Sequence, residues 1–105
     1  MPMNMGVWSA TAAGTNAATS ATHTAVTGQT FVVTNISGHA DTDAVITIEA
    51  PAGTIFYQTG IDVSLEGIGF NSGPLTIPLP RSTNAVGKIS ASTTDCQVNI
   101  CGYIV

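Results

Sequence analysis

Apolar and polar residues alternate along the last ten positions of the chain, from Cys96 to Val105. A period of two is typical of a β-strand that buries every second side chain. Because a strand this apolar would promote aggregation at an unprotected sheet edge, we expect it to lie between two neighbouring strands. The alternation predicts four inward residues, Cys96, Val98, Ile100 and Ile104.

From His23 onward, short runs of β-branched and aromatic residues are separated by residues that favour turns. These runs recur about every ten residues without helical periodicity, as is typical of sandwiches and barrels. The clearest runs are Thr30–Ile36, Ala44–Ala50, Thr54–Gln58, Gly60–Glu66, Leu75–Leu79 and Val86–Ser92. The sequence therefore predicts an all-β protein, a single β-sandwich of jelly-roll or Greek-key type with seven to eight short antiparallel strands.

Three connecting features refine this layout. The polar segment Ser37–Asp43 is predicted to be a loop that joins Thr30–Ile36 and Ala44–Ala50 as a hairpin. The glycine-containing segment Gly67–Pro74 is also predicted to be a loop. Pro78 lacks a backbone N–H, so we expect it at a sheet edge or a strand end.

The first 22 residues differ from the rest because small Ala, Thr, Gly and Asn residues dominate without an apolar period. Interleaved Thr, Gly and Asn disfavour a helix, so we predict an extended N-terminal arm over residues 1–22 and a sandwich domain over residues 23–105. Tryptophan is enriched at protein interfaces. Trp8 either folds back onto the core of its own domain or, with Met5 and Val7 nearby, docks on a neighbouring subunit.

The chain has 105 residues, of which 44% are hydrophobic and 8% are charged. It is large enough for one core, but a typical soluble domain has about 25% charged residues. A surface of Thr, Ser, Ala, Gly and Asn suits packing into an assembly, and the scarcity of titratable groups weighs against catalysis. Two cations against six acids, a net charge of −4, argue against binding to nucleic acid or to an anionic membrane.

No apolar run approaches the length of a transmembrane helix, and the first residues lack the features of a secretory signal. The sequence therefore predicts synthesis in the cytoplasm. Cys96 and Cys101 would lie about 16 Å apart in one extended strand, whereas a disulfide needs Cα atoms within about 7 Å. We expect thiols, unless a turn near Asn99 breaks the strand or the pairing is intermolecular.

Candidate groups for metal binding and catalysis are few. His39, Asp41 and Asp43 share one polar segment, which is either a cation site or, as we expect, a solvated turn. The nucleophile elbow Gly-x-Ser-x-Gly is absent from the sequence. We therefore expect no metal and no cofactor.

A glycosidase would need two carboxylates close together. Asp62 and Glu66 would lie about 13 Å apart along one strand, which is too far unless a partner strand contributes, and Glu49 is the remaining candidate. We therefore expect no enzyme activity.

Several segments between Phe31 and the C-terminal end combine into a recognisable layout: Val33-Thr-Asn35, Val45-Ile-Thr-Ile48, Ala50-Pro-Ala-Gly53, Ile77-Pro-Leu-Pro-Arg81, Thr83-Asn-Ala-Val86 and Gly102-Tyr103. In this layout the chain resembles small phage virion proteins of the capsid decoration or cement type. The two cysteines and the N-terminal arm are not part of the resemblance.

The resemblance implies a β-sandwich without catalytic activity that forms a homo-oligomer, with a trimer favoured, on a capsid surface. It implies the major capsid protein as the partner. We therefore predict a structural virion protein, a decoration or cement protein that binds the capsid exterior and stabilises the shell. The predicted interface residues are Met5, Val7, Trp8 and Arg81.

The alternative function is a carbohydrate- or receptor-binding β-sandwich module of a phage fibre or tail. It predicts that exposed aromatic side chains cluster on one concave face, and the candidates are Trp8, Tyr57, Phe70 and Tyr103. Two of the four fall in strand patterns, where burial in the core is the simpler interpretation. A bacterial surface or secreted adhesion domain is disfavoured by the lack of a signal peptide.

Overall fold

A computed structural model describes residues 6–14, 18–62, 69–90 and 96–105, which form nine β-strands. The strands are β1 (Val7–Gly14), β2 (Thr19–His23), β3 (Phe31–Ala40), β4 (Ala44–Glu49), β5 (Ile55–Ile61), β6 (Gly69–Asn71), β7 (Ile77–Pro78), β8 (Ala85–Ser90) and β9 (Cys96–Ile104). Strands account for 65% of the structure, and these ranges contain no helix, so the all-β prediction is confirmed. In the same ranges, no helix is long and apolar enough to cross a membrane.

The strands form two antiparallel sheets that pack together, which confirms a sandwich-like architecture. The five-stranded sheet has the order β1-β9-β3-β6, with β7 also paired to β3. The four-stranded sheet has the order β2-β8-β4-β5. Among the described strands, β4 and β5 are the one consecutive pair that forms a hairpin.

Strand β9 lies in the interior of the five-stranded sheet. It pairs along its length with β1 on one side and β3 on the other, which confirms that it has two neighbours. Its residues alternate between buried and half-buried from Cys96 to Gly102, as the period of two predicted. Cys96 and Cys101 therefore point to opposite faces, and they do not form a disulfide with each other.

The core lies between the sheets and consists mainly of β-branched and aromatic side chains. Burial of one such side chain contributes about 1.5–3 kcal/mol. The sheets approach closely at Gly87 of β8, where an added Cβ would lie 3.0 Å from the Cβ of Ile100 on β9. The largest fully buried side chains are Phe31, Ile36, Ile46, Ile48, Ile89 and Ile100.

The hairpin predicted between β3 and β4 is wrong. β3 continues through Ser37 to Ala40, and only residues 41–43 separate it from Ala44, the first residue of β4. β3 pairs with β9, whereas β4 pairs with β5 and β8, so the chain crosses from one sheet to the other here. The buried Ala40 keeps this polar segment within the five-stranded sheet, because its small side chain fits the core.

The extended N-terminal arm predicted over residues 1–22 is not confirmed. Val7–Gly14 is an edge strand of the five-stranded sheet, and Thr19–His23 is an edge strand of the four-stranded sheet. Small side chains fit these positions, because Ala10 and Ala12 pack against the core from β1. The first five residues and residues 15–17 lie outside the described part of the chain.

The segments on the far side of the sandwich follow the sequence in part. Ile61 is buried at the end of β5, as its alternation predicted, while residues 63–68 lie outside the described ranges. Gly69–Asn71, which was predicted to be part of a loop, is a short strand paired with β3. Pro78 pairs with Val32 at the sheet edge, which confirms its expected place.

Candidate functional site

The predicted interface residues lie in different environments. Val7 is the first residue of β1 and is 83% exposed, whereas the adjacent Trp8 is only 5% exposed. Arg81 is exposed in the turn that precedes β8. Met5 lies outside the described residues. Val7 and Arg81 are thus the members of the set that present surface to a partner.

Trp8 belongs to an aromatic cluster inside the sandwich. Its ring stacks on His23 at a centroid distance of 5.0 Å with an interplanar angle of 14°, and it packs against Phe31 at 5.5 Å. The indole N–H donates a hydrogen bond to the Tyr103 carbonyl oxygen at 3.1 Å. Of the two alternatives for Trp8, the structure shows the one in which it packs on its own domain.

His23 is a titratable group within this cluster. Its ring lies between Trp8 and Phe31, with a centroid distance of 4.5 Å to Phe31. Burial lowers the pKa of His23 below its ordinary value of 6.5, because desolvation disfavours the charged imidazolium. The cluster therefore favours the neutral imidazole.

Val7 lies at the end of the sandwich where β1 and β3 begin and β9 ends. The Ile104 N–H donates to the Gly6 carbonyl oxygen at 3.0 Å, which holds the start of β1 beside the end of β9. Val105 and Thr30 exchange two backbone hydrogen bonds, at 2.9 and 3.0 Å, which hold the end of β9 beside the start of β3.

The turn that carries Arg81 packs at the same end. The Ser82 N–H donates to the Gln29 carbonyl oxygen at 2.8 Å, and the Gly28 N–H donates to the Ser82 hydroxyl oxygen at 2.8 Å. Val26, which is 47% exposed, lies just before these residues. We call the exposed side chains Val7, Val26 and Arg81 the terminal surface.

A second candidate site lies on the outer face of the five-stranded sheet. Uncharged polar side chains from four neighbouring strands lie opposite one another there, namely Thr11 on β1, Asn99 on β9, Ser37 on β3 and Asn71 on β6. We call this row, together with the flanking Ser9, Asn35, His39 and Gln97, the polar face.

Hydrogen bonds connect the side chains of the polar face. The Thr11 hydroxyl donates to Asn99 Oδ1 at 2.9 Å, and Asn99 Nδ2 donates to Ser37 Oγ at 3.5 Å. Asn35 Nδ2 donates to Asn71 Oδ1 at 2.8 Å. Because these groups lie on strands and restrain one another, their donors and acceptors are ordered before any ligand arrives.

A shallow depression of about 470 Å³ lies on the polar face between β3, β6 and β9. Gly69, which lies opposite His39, contributes no side chain to fill it. Among the described lining residues there is no carboxylate, lysine or arginine, and His39 is the one titratable group. The depression therefore suits a neutral ligand that both donates and accepts hydrogen bonds.

A smaller depression of about 180 Å³ on the outer face of the four-stranded sheet contains Glu49 and Lys88. The Glu49 carboxylate accepts hydrogen bonds from the Thr47 hydroxyl at 2.6 Å and from the Gly53 N–H at 2.7 Å. The Thr47 hydrogen bond, the Gly53 N–H and the Lys88 charge hold the pKa of Glu49 below 4.5, although burial opposes them. Both carboxylate oxygens bind the β4–β5 hairpin, so Glu49 has a structural role.

The remaining candidates from the sequence are dispersed. Within the described ranges, no group of three or more His, Cys, Asp or Glu side chains could hold a metal ion. His39 lies on β3, while Asp41 and Asp43 are exposed in the connection to β4. Glu66, the proposed carboxylate partner of Asp62, lies outside the described residues.

The aromatic residues considered for sugar stacking do not form an exposed cluster. Trp8 is buried, and Tyr57 and Phe70 are partly buried against the core. Tyr103 is half-buried on β9, opposite Val7. Of the four, only Tyr103 lies on the same face as the polar face.

The polar face was missed by the sequence reading because Ser37–His39 was assigned to a loop. A signal was present in the alternation of Asn35, Ser37 and His39, whose spacing matches one face of a strand. The same spacing occurs in Gln97 and Asn99 on the strand that was predicted correctly.

Comparisons with known proteins do not assign the chain to a family. No protein-family model matches it, and searches of curated proteins and of solved structures each return no match. The functional argument therefore rests on the strand order and on the two surfaces described above.

Proposed function

We propose that this protein is a structural virion protein, a decoration or cement protein that binds the exterior of a phage capsid and stabilises the shell. Its partner is the major capsid protein, and its location is the capsid surface after synthesis in the host cytoplasm. The observation that carries the proposal is the order of the strands in the two sheets.

That order supports a jelly-roll topology. If β6 and β7 are counted as one strand because both pair with β3, the first strand pairs with the last, the second with the seventh, the third with the sixth and the fourth with the fifth. Rolling this ribbon of pairs brings β9 against β3 and β8 against β4, as in a jelly roll. Jelly rolls occur in viral capsid proteins and in lectins, so the topology favours these two classes.

The terminal surface supports a docking role at one end of the sandwich. Val7 and Val26 are exposed apolar side chains, and Arg81 lies in the turn packed beside them. Arginine and apolar side chains are frequent at protein interfaces. The other cation of the chain, Lys88, lies near Glu49 on the four-stranded sheet, so Arg81 is the cation placed to meet an acidic partner.

We further propose that the protein acts as a homo-oligomer, with the trimer favoured by the family resemblance. Several weak contacts made at once by one oligomer bind far more tightly than each contact alone. The low proportion of charged residues supports close packing of copies, because few charges need to be desolvated.

Co-sedimentation with empty capsids tests this function. The double variant Val7→Asp/Arg81→Glu should bind at least about tenfold more weakly, because it removes an apolar contact and reverses a charge on the terminal surface. Val45→Asp is a matched control, since Val45 is 40% exposed on the four-stranded sheet and should tolerate the change. Deletion of residues 1–20 is unsuitable because it would remove β1.

Two outcomes would count against the proposal. Unaltered protein that fails to bind capsids at any concentration would exclude a decoration role. Equal loss of binding in the double variant and in Val45→Asp would show that the terminal surface is not the contact.

The second candidate is a carbohydrate- or receptor-binding module of a phage fibre or tail, and the polar face favours it. Its ordered amide and hydroxyl groups match the alternating donors and acceptors of a sugar, although an exposed aromatic cluster is not formed by the four candidates. Glycan-array binding that is lost in Asn99→Ala would support this function. An array without signal, together with retained capsid binding, would decide for the decoration protein.

A further inference from the structure

Strand β5 lies at an edge of the four-stranded sheet. Among the described residues β4 is its pairing partner, so alternate backbone groups of β5 point away from the sheet. Such an edge can bind another strand unless short length, charge or proline prevents it.

The other sheet edges oppose strand addition more strongly. The neighbouring edge of the five-stranded sheet is divided between β6, with three residues, and β7, with two residues that include Pro78. β2 has five residues. β1 is longer, but after Val7 its exposed side chains are the small Ser9, Thr11 and Ala13, which would bury little area.

β5 combines length with exposed apolar side chains. It has seven residues, and Ile55 and Phe56 are 53% and 39% exposed. Its irregularity is a bulge opposite Glu49, where Phe56 is the additional residue, and the pairing with β4 is regular from Tyr57 to Ile61. No charged residue and no proline occurs in β5.

We infer that two copies of this chain associate through β5, antiparallel about a two-fold axis, so that their four-stranded sheets join edge to edge. Each copy has a net charge of −4, so two copies repel each other where acidic surfaces meet. No charged residue occurs from residue 50 to residue 61, and the copies can therefore approach along β5 without bringing like charges together. A two-fold axis is the commonest symmetry of homo-oligomers and requires a self-complementary surface.

The alternation of side chains limits the register of this pairing. Residues directly opposite in an antiparallel pair point to the same face, so the axis passes through a residue and not between two residues. With the axis at Gln58, Gln58 meets its own copy, Tyr57 meets Thr59, and Phe56 meets Gly60. The Phe56 ring then covers the exposed backbone of Gly60, an arrangement that stabilises glycine in strands.

Charge substitution at the axis tests the pairing in the purified chain. Gln58 is exposed, so Gln58→Lys and Gln58→Glu should each fold, as checked by circular dichroism. Each variant places like charges opposite one another and should weaken self-association at least about tenfold. An equimolar mixture should restore association, because Lys then meets Glu. Gln97→Lys, the same change on β9 of the other sheet, is the control and should associate like the unaltered chain.

Sedimentation equilibrium over a range of concentrations gives the result. We expect the unaltered chain to approach twice its mass of 10.6 kDa. A monomer at every concentration, a trimer, a Gln58→Lys variant that associates normally, or a mixture that stays monomeric would each overturn the pairing. Because capsids are absent from this experiment, its outcome is independent of the proposed decoration role.

Discussion

Trp8 connects segments that are distant in the sequence. Its ring stacks on His23 of β2, and its N–H binds the carbonyl oxygen of Tyr103 on β9. Gly102 leaves space for it, because a Cβ at that position would lie 2.9 Å from Trp8 Cζ2. A single side chain thus joins β1, β2 and β9 at one end of the core.

Replacement of Trp8 should be among the more destabilising single changes on β1. We expect Trp8→Ala to lower the free energy of unfolding by about 3–5 kcal/mol, as is typical for a large buried aromatic residue. Val7→Ala, at an 83% exposed position, should change it by less than about 0.5 kcal/mol. Urea titration followed by circular dichroism measures both, and similar values for the two variants would contradict the packing described for Trp8.

Acidification should destabilise the protein in two steps. The folded-state pKa of His23 is lowered, so its contribution is complete above about pH 6.5 and decreases as the pH falls below that value. The folded-state pKa of Glu49 is also lowered, so its contribution is present above about pH 4.5 and is lost as the pH falls through the folded-state pKa.

The free energy of unfolding measured against pH separates these two groups. His23→Phe keeps an aromatic ring beside Trp8 and should remove the decrease that begins near pH 6.5, while the decrease at lower pH persists. If His23→Phe and the unaltered protein have the same pH profile, the buried histidine does not contribute to the pH dependence.

At the scale of elements, the period of two identified strands whose two faces differ clearly in polarity. β9 is such a strand, and its inward residues are buried as expected. The C-terminal half of β3 was missed because its outward residues, Ser37 and His39, are polar, while Gly38 and Ala40 are small. β1 was missed for a related reason, since the inward Ala10 and Ala12 resemble their polar and small neighbours in size.

The contact between Gly87 and Ile100 provides a test of the packing between sheets. In Gly87→Ala the new methyl group would lie 3.0 Å from Ile100 Cβ and 3.2 Å from its Cγ2, so the sheets must shift. We expect a loss of about 1–3 kcal/mol of stability, as is typical of overpacking. Gly69→Ala is the control, because nothing lies within 4 Å of its added Cβ. Equal stability of the two variants by urea titration would contradict the close approach.

At the scale of the molecule, composition and periodicity sufficed for the all-β class and the packed sheets, but not for the pairing of strands. Neighbouring strands in a sequence are usually neighbours in space, which made a β3–β4 hairpin the natural expectation. Here Val7 pairs with Tyr103, and contacts of such separation leave no local signal in the sequence. The exposed Val7 and Arg81 could be proposed from residue type alone, whereas the polar face required the register of four strands.

These long-range pairs make β1 necessary for the whole sandwich. A chain that lacks residues 1–14 would expose the edge of β9 and uncover the core at Trp8's position, so we expect it to aggregate. A chain that begins at Gly6 retains β1 and should stay monodisperse by size exclusion with light scattering. If both truncated chains behave alike, β1 is dispensable and the sheet order does not depend on it.

The hydrogen bond between Gly6 and Ile104 places the two ends of the described chain side by side, at the end that carries the terminal surface. A short linker between them would allow circular permutation, since new ends could open at a surface loop. In the proposed decoration role, a passenger peptide fused to either end would face the shell. The exposed connection at residues 41–43 lies at the opposite end, where β3 finishes, and is the better insertion point for displaying a peptide outward.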